Sequence, residues 1–150
     1  MPPKRRAPAR RGVVDTSVLV AGVAGFKPNV RITNPSAQLL RTWLNDGHFT
    51  WLVCADIMAE YKAVLARLGV RRQLVGRIIN LLREEAEEIE VPQVTAVSPD
   101  PADDPICACA EHGEADFIVT LNKKDFPQRR LSARVVAPDE SLPTRRRRKR

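Results

Sequence analysis

The stretch GVVDTSVLVAG, residues 12–22, decides the fold class. Gly12, Val13 and Val14 form a short apolar run that stops at the polar triplet Asp15, Thr16 and Ser17. Such a run, bounded by polar groups, has the pattern of a buried strand whose carboxyl end opens onto solvent. Outward from it, strands are expected at His48 to Val53, near Ile89 to Val91, at Phe117 to Thr120 and at Arg134 to Val136. Helical spacing fills the intervals. Leu39, Leu40, Trp43 and Leu44 mark a helix over 35–45, bracketed by Pro35 and Gly47. Ile57, Met58, Tyr61, Val64, Leu65 and Leu68 mark one over 55–68 that ends at Gly69, and Leu74, Val75, Ile78, Ile79 and Leu82 mark one over 71–82. After a turn-rich break at 99–105, Asp104 and Pro105 suit the cap and first residue of a helix running to about His112 and closed by Gly113. Strands alternating with helices imply an α/β protein, a three-layer α/β/α sandwich around a central, mostly parallel sheet.

With 150 residues, 43% of them hydrophobic, the chain has the size and core of one domain. No stretch approaches the roughly 20 apolar residues of a membrane span, and the amino terminus has no apolar secretory segment. A cytoplasmic protein without membrane contact is expected. Cys107 and Cys109 have neither disulfide nor zinc spacing, so reduced structural thiols are the reading. Trp43 and Trp51 lie in patterned segments and read as core. The net charge of +7 resolves once it is located. Residues 1–11 carry five cations and residues 145–150 carry six, and neither segment has an acid; removing those 11 from 25 leaves 14 against 18 acids, a body of −4. The expected organisation is a basic disordered arm at 1–11, a domain at 12–140 and a basic disordered tail at 141–150. Arg5, Arg6, Arg10, Arg11, Arg145, Arg146, Arg147 and Arg148 are candidate RNA contacts, with a targeting or solubility role as the plainer alternative.

Acids inside the body need a separate account. Asp15 follows the first strand, Glu60 flanks the apolar stripe of the helix after the second, and Asp104 opens the helix before the fourth. Each has an ordinary explanation: a turn or cap for Asp15 and Asp104, a solvated rim for Glu60. Together they fall where parallel sheets bind ligands, outside the carboxyl ends of the strands. Carboxylates gathered there repel one another unless a cation lies between them, and hard oxygen donors select Mg²⁺ or Mn²⁺. Such ions activate water and stabilise charge in displacement at phosphorus. Histidine or phosphate-loop chemistry has little support, because His48 and His112 stand alone and no Gly-x-x-x-x-Gly-Lys-Ser/Thr motif occurs.

These residues carry a family resemblance over about residues 12–140. VVDTSVLVAG at 13–22 resembles the opening strand of PIN domains, with the first catalytic acid at Asp15 and the following hydroxyl at Ser17. ADIMAEYKAVLAR at 55–67 resembles the second motif, with its acid at Glu60. DPADDPICACAEHGEADFIVTLNKKDF at 100–126 resembles the third and fourth, with Asp104 as acid and Asn122, two after Thr120, at the fourth polar position. The likeness is to the VapC-like toxin group. It implies a Mg²⁺- or Mn²⁺-dependent endoribonuclease, RNA as substrate, a homodimer and a small antitoxin protein as partner. Metal would fall to Asp15, Glu60 and Asp104, and catalysis to these with Asn122. Asn122 departs from the more common Asp, taking one negative charge from the site; Asp116 and Asp125, with Ser17 and Thr120, are the supporting candidates, although Asp116 reads more simply as a strand-entry residue and Asp100 and Asp103 as turn residues. Two rivals remain: a PIN-fold RNA-binding or regulatory protein with weak or no catalysis, and a phosphatase or receiver domain. The phosphatase pattern wants Asp where Ser17 stands.

Overall fold

The computed structural model describes residues 10–25, 34–92 and 104–144, with only the backbone at Asp104. The strands are β1 (Arg11–Val14), β2 (Thr50–Val53), β3 (Glu87–Glu88), β4 (Phe117–Val119) and β5 (Arg134–Val136). The helices are α1 (Thr16–Gly25), α2 (Pro35–Asp46), α3 (Ala55–Arg67), α4 (Arg72–Glu85) and α5 (Asp104–His112). All strand pairs are parallel, in the order β3-β2-β1-β4-β5, and helices cover the sheet as an α/β/α sandwich. The chain winds outward from β1 to β3, then crosses over to build β4 and β5 on the other side. Strand order therefore reverses between β1 and β4, and open parallel sheets bind ligands beyond the carboxyl ends of their strands at such a point.

The local chemistry agrees with most of the expected elements. Asn34 caps α2 by accepting from the Ser36 amide (2.9 Å), Pro35 supplies its first turn, and Gly47 at φ 55° sends its N–H to the Trp43 carbonyl (2.8 Å). Trp51 is the hub of the core, its ring 4.8 Å from Trp43, 6.0 Å from Phe49 and 6.3 Å from Tyr61. Gly12 lets β4 lie close, since a Cβ there would meet the Phe117 ring at 2.2 Å.

Four expectations change. Helix α1 was not foreseen, because a segment of Val, Leu, Ala and Gly that is apolar on every side carries no helical period. β2 begins at Thr50, not His48, where the Thr50 amide meets the Arg10 carbonyl (2.6 Å). β3 is Glu87–Glu88 rather than 89–91: backbone pairing with Leu52 and Val53 sets this edge strand, while the apolar Ile89 and Val91 turn onto the core. Finally, Arg10 and Arg11 belong to the body. Arg11 starts β1 and is held by three groups: its N–H donates to Asp116 Oδ2 (2.8 Å), its Nε to the Gly113 carbonyl (3.0 Å), and its guanidinium pairs with Glu87. Its fork is thus engaged in the fold, which corrects its assignment to RNA. At the other end the body runs on through Leu142, which packs against the core, to Thr144. Arg5, Arg6, Arg145 to Arg148, Asp100 and Asp103 lie outside the described residues. Among the described residues no helix is long and apolar enough to cross a membrane.

Candidate functional site

Asp15 stands where β1 ends and α1 begins, at the point of reversal. Its amide extends the β1–β4 ladder to the Val119 carbonyl (2.9 Å), and its carbonyl accepts from Val18 (3.0 Å) in the first turn of α1. The side chain is only 6% exposed, so its carboxylate must find partners within the protein. Two hydroxyls supply them: Ser17 Oγ donates to Oδ2 at 2.7 Å and Thr120 Oγ1 donates to the same oxygen at 2.8 Å. Each hydroxyl in turn accepts a backbone N–H, Ser17 from Leu121 (3.4 Å) and Thr120 from Asn122 (3.0 Å). An amide on a hydroxyl's lone pair leaves its proton free to aim at the acid. One carboxylate oxygen is thereby fixed, the loop after β4 is drawn against it, and Oδ1 receives no hydrogen bond among the described residues.

Glu60 reaches this neighbourhood through its successor. Tyr61 is wholly buried; its hydroxyl donates to the carbonyl of Val14, the residue before Asp15, and accepts from Trp51 Nε1 (3.3 Å). That bond ties α3 to the carboxyl end of β1. Desolvation raises the Tyr61 phenol well above its usual range, and the nearby charges of Asp15 and Glu60 push it the same way. Glu60 itself is half-buried on α3. Asp104 begins α5, as expected; its side chain lies outside the described residues. Asn122 is exposed beyond β4, and its carbonyl accepts from the Asp125 amide (3.0 Å) at the start of a short 3-10 turn, so both belong to the same edge as Asp15.

Asp116 does not. It precedes β4, so it sits at the entry edge, buried to 3% exposure with Oδ2 on the Arg11 amide. A parallel strand separates its two ends, and an acid before the strand cannot share a site with one after it; the supporting role expected for Asp116 is withdrawn. Two features near the carboxyl ends of β1 and β2 went unrecognised in the sequence. Tyr61 was read only as an apolar helix position, although a lone tyrosine beside a candidate acid was the available signal. Cys54, buried between β2 and α3, receives a hydrogen bond from Cys109 that, with backbone amides of Ile57 and Asp56, pulls its thiol down to about 7 against the effect of burial. Cys109 is correspondingly pushed up, by donating that bond and by burial. The cysteines are free and buried, as expected, and Trp43 and Trp51 are core.

The donors present fit a hard divalent ion. Among the described residues no three His, Cys, Asp or Glu side chains form a ready-made metal cage. Mg²⁺, however, is held by one or two carboxylates and keeps several waters, and the open Oδ1 of Asp15 on a rigid support is a donor of that kind.

A parallel α/β/α sandwich with a fixed carboxylate at its switch point defines a class of acid-site domains. The chain belongs to the PIN domain family, whose profile it matches over residues 11–124. PIN domains are in general nucleases. The solved structures it resembles include a chain of the VapBC2 complex from Rickettsia felis, crystallised bound to a DNA fragment from the promoter of its own genes, with a TM-score of 0.54 over 84% of this chain and 96% of that one. At 12% identity the likeness is one of fold. No curated protein matches the chain in sequence.

Proposed function

We propose that this chain is a Mg²⁺- or Mn²⁺-dependent endoribonuclease and the toxin of a toxin–antitoxin pair. The observation that carries the reading is the Asp15 carboxylate, clamped through one oxygen by Ser17 and Thr120 and open at the other. Asp15, Glu60 and Asp104 would hold the ion, which when bound lowers the pKa of water and offsets charge at the phosphorus. Ser17 and Thr120 keep Asp15 in one rotamer, so no reorganisation is needed when substrate arrives. Asn122, drawn in by its amide bond to Thr120, offers a neutral oxygen for orienting water or a phosphate. Asp125 supplements the charge that Asn122 lacks.

An apolar groove supports the reading of a docking partner. Between α1, α2 and α4 runs an apolar groove of about 460 Å³, in which Leu44 and Leu74 are 46% and 39% exposed and Arg71 and Arg77 stand at the wall. Apolar surface rimmed by cations suits an amphipathic helix with an acidic face, the chemistry we assign to an antitoxin segment. A homodimer is the expected state, to be read by light scattering.

Purified protein should cleave single-stranded RNA with Mn²⁺, stop with chelator, and lose cleavage in Asp15→Asn, which removes a charge at nearly constant shape. Full activity in that variant, or activity indifferent to chelator, would overturn the proposal. RNA binding without cleavage would favour the rival reading of a non-catalytic PIN protein, which the neutral Asn122 supports.

A further inference from the structure

Cys54 and Cys109 meet between β2, α3 and α5. Cys54 directly follows β2 and opens α3, where its sulfur also receives the Asp56 and Ile57 amides. Cys109 lies on α5, one turn before Gly113, and donates its S–H to Cys54. The packing of α5 on β2 brings the two together. Gly113 sits so close to β2 that a Cβ there would meet the Leu52 side chain at 2.9 Å. From Gly113 back to Cys109 is one helical turn, about 6 Å toward the carboxyl edge, and from Leu52 on to Cys54 is an extended step of about 6.5 Å in the same direction. The two sulfurs therefore arrive at one height. Cys107 lies about 200° round the helix from Cys109 and so on another face. A cavity of about 510 Å³ opens on Cys54, and Asp56, Glu88 and Glu90 are the charged residues of its described lining.

We infer that Cys54 and Cys109 are a peroxide-sensitive dithiol, in which a neutral peroxide enters this cavity, oxidises Cys54 and leaves a reversible Cys54–Cys109 disulfide. In the first step the Cys54 thiolate attacks one peroxide oxygen: an S–O bond forms, the O–O bond breaks, and the departing hydroxide takes up the proton Cys54 has released. In the second the Cys109 sulfur attacks Cys54: an S–S bond forms, the S–O bond breaks, and the hydroxyl leaves as water with the Cys109 proton. Two thiols lose two electrons and one peroxide is reduced to two waters. Each partner suits its part. The Cys109 bond, then the amides at the start of α3, hold the Cys54 thiol at about 7, so a good share is nucleophilic thiolate at neutral pH. Cys109 is pushed up and keeps its proton for the departing hydroxyl. The acids of the cavity repel an anionic oxidant such as glutathione disulfide and admit uncharged hydrogen peroxide. Resting on the ribonuclease reading, the disulfide also governs cleavage, because it ties α5, which Asp104 begins, to the start of α3, which carries Glu60.

The test treats the full chain with a small excess of hydrogen peroxide, maps its cysteines by alkylation and mass spectrometry, and measures cleavage of single-stranded RNA with Mn²⁺ before and after a thiol reductant. The expected product has lost two hydrogens, links Cys54 to Cys109 and leaves Cys107 as a thiol. It should cleave about tenfold more slowly until reduced, since misplacing a group by ~1 Å costs up to about a hundredfold. In Cys109→Ala, cleavage without peroxide should match that of the unaltered chain, and peroxide should leave a Cys54 sulfenic acid that dimedone captures. Glutathione disulfide at the same concentration should modify neither cysteine. A Cys54–Cys107 bond, no disulfide at all, or faster reaction with glutathione disulfide than with peroxide would overturn the inference. A Cys54–Cys109 disulfide that leaves cleavage unchanged would overturn its control of the acid site. The same disulfide in a chain that never cleaves RNA would uphold the dithiol and sink the ribonuclease reading.

Discussion

Replacing Thr120 separates what its hydroxyl does from what its methyl does. Thr120 is fully buried; Oγ1 donates to Asp15 and accepts from the Asn122 amide, while the methyl packs in the core. Thr120→Val keeps the shape and deletes both bonds. A hydrogen bond to a charged group contributes about 1.5–3 kcal/mol, and here its loss leaves a nearly buried carboxylate with Ser17 alone. The melting temperature should fall by about 2–4 °C per kcal/mol for a domain of this size, so by about 3–12 °C. If Asp15 must be held for catalysis, kcat/KM should drop by about ten- to hundredfold, since each 1.4 kcal/mol is tenfold. Thr120→Ser does the opposite: losing one buried methyl costs about 1 kcal/mol of stability, but cleavage should stay within about threefold. Melting curves and initial rates on single-stranded RNA with Mn²⁺ read both variants. A valine variant with full activity, or a serine variant as impaired as the valine one, would refute the claim that these hydroxyls set the site.

Tyr61→Phe deletes the donor to Val14 and the acceptor for Trp51 Nε1, so urea denaturation should show a loss of about 1–3 kcal/mol; no loss would mean that α3 is not tethered to β1 by this bond. Glu60→Gln should leave the melting temperature in chelator unchanged or raised, by relieving repulsion with Asp15, and should shrink the stabilisation gained on adding Mn²⁺. A clear loss of stability in chelator would instead make Glu60 a structural residue. For Cys54, thiolate absorbance in the ultraviolet should rise with a midpoint of about 7. Cys109→Ala removes the donor that favours the thiolate, so the midpoint must move up; an unmoved midpoint would exclude the Cys54–Cys109 hydrogen bond.

The sequence declared its fold wherever a periodic pattern met a stop signal. Helix α2 is legible because Pro35 and Gly47 bracket a stripe, and Gly12 to Asp15 because an apolar run ends in an acid. α1 was hidden by its uniform apolarity, and β3 by being an edge strand made of glutamates, where backbone pairing and not side-chain pattern sets the register. In the site, Asp15, Ser17 and Thr120 were readable as residues, but their joining in one network depends on the β1–β4 pairing, which no local pattern carries. Asp116 went wrong for a related reason. Proximity in sequence to Asn122 suggested a shared site, yet one extended strand puts the two at opposite edges, and the plainer reading of Asp116 as a strand-entry residue is the one that holds. Arg11 was hidden within a basic run, its role visible only once Gly113, Glu87 and Asp116 surrounded it.

The contact between Thr120 and Asp15 spans 105 positions of the chain. A nascent polypeptide that has only its first five elements outside the ribosome has Asp15 and Glu60 but neither β4 nor the Thr120 hydroxyl that clamps the acid. Parallel pairing over so long a separation forms late, since the loop must close before any ladder bond rewards it. The acid site is therefore a product of finished synthesis, and a chain cut short before β4 carries its first two acids without the means to align them.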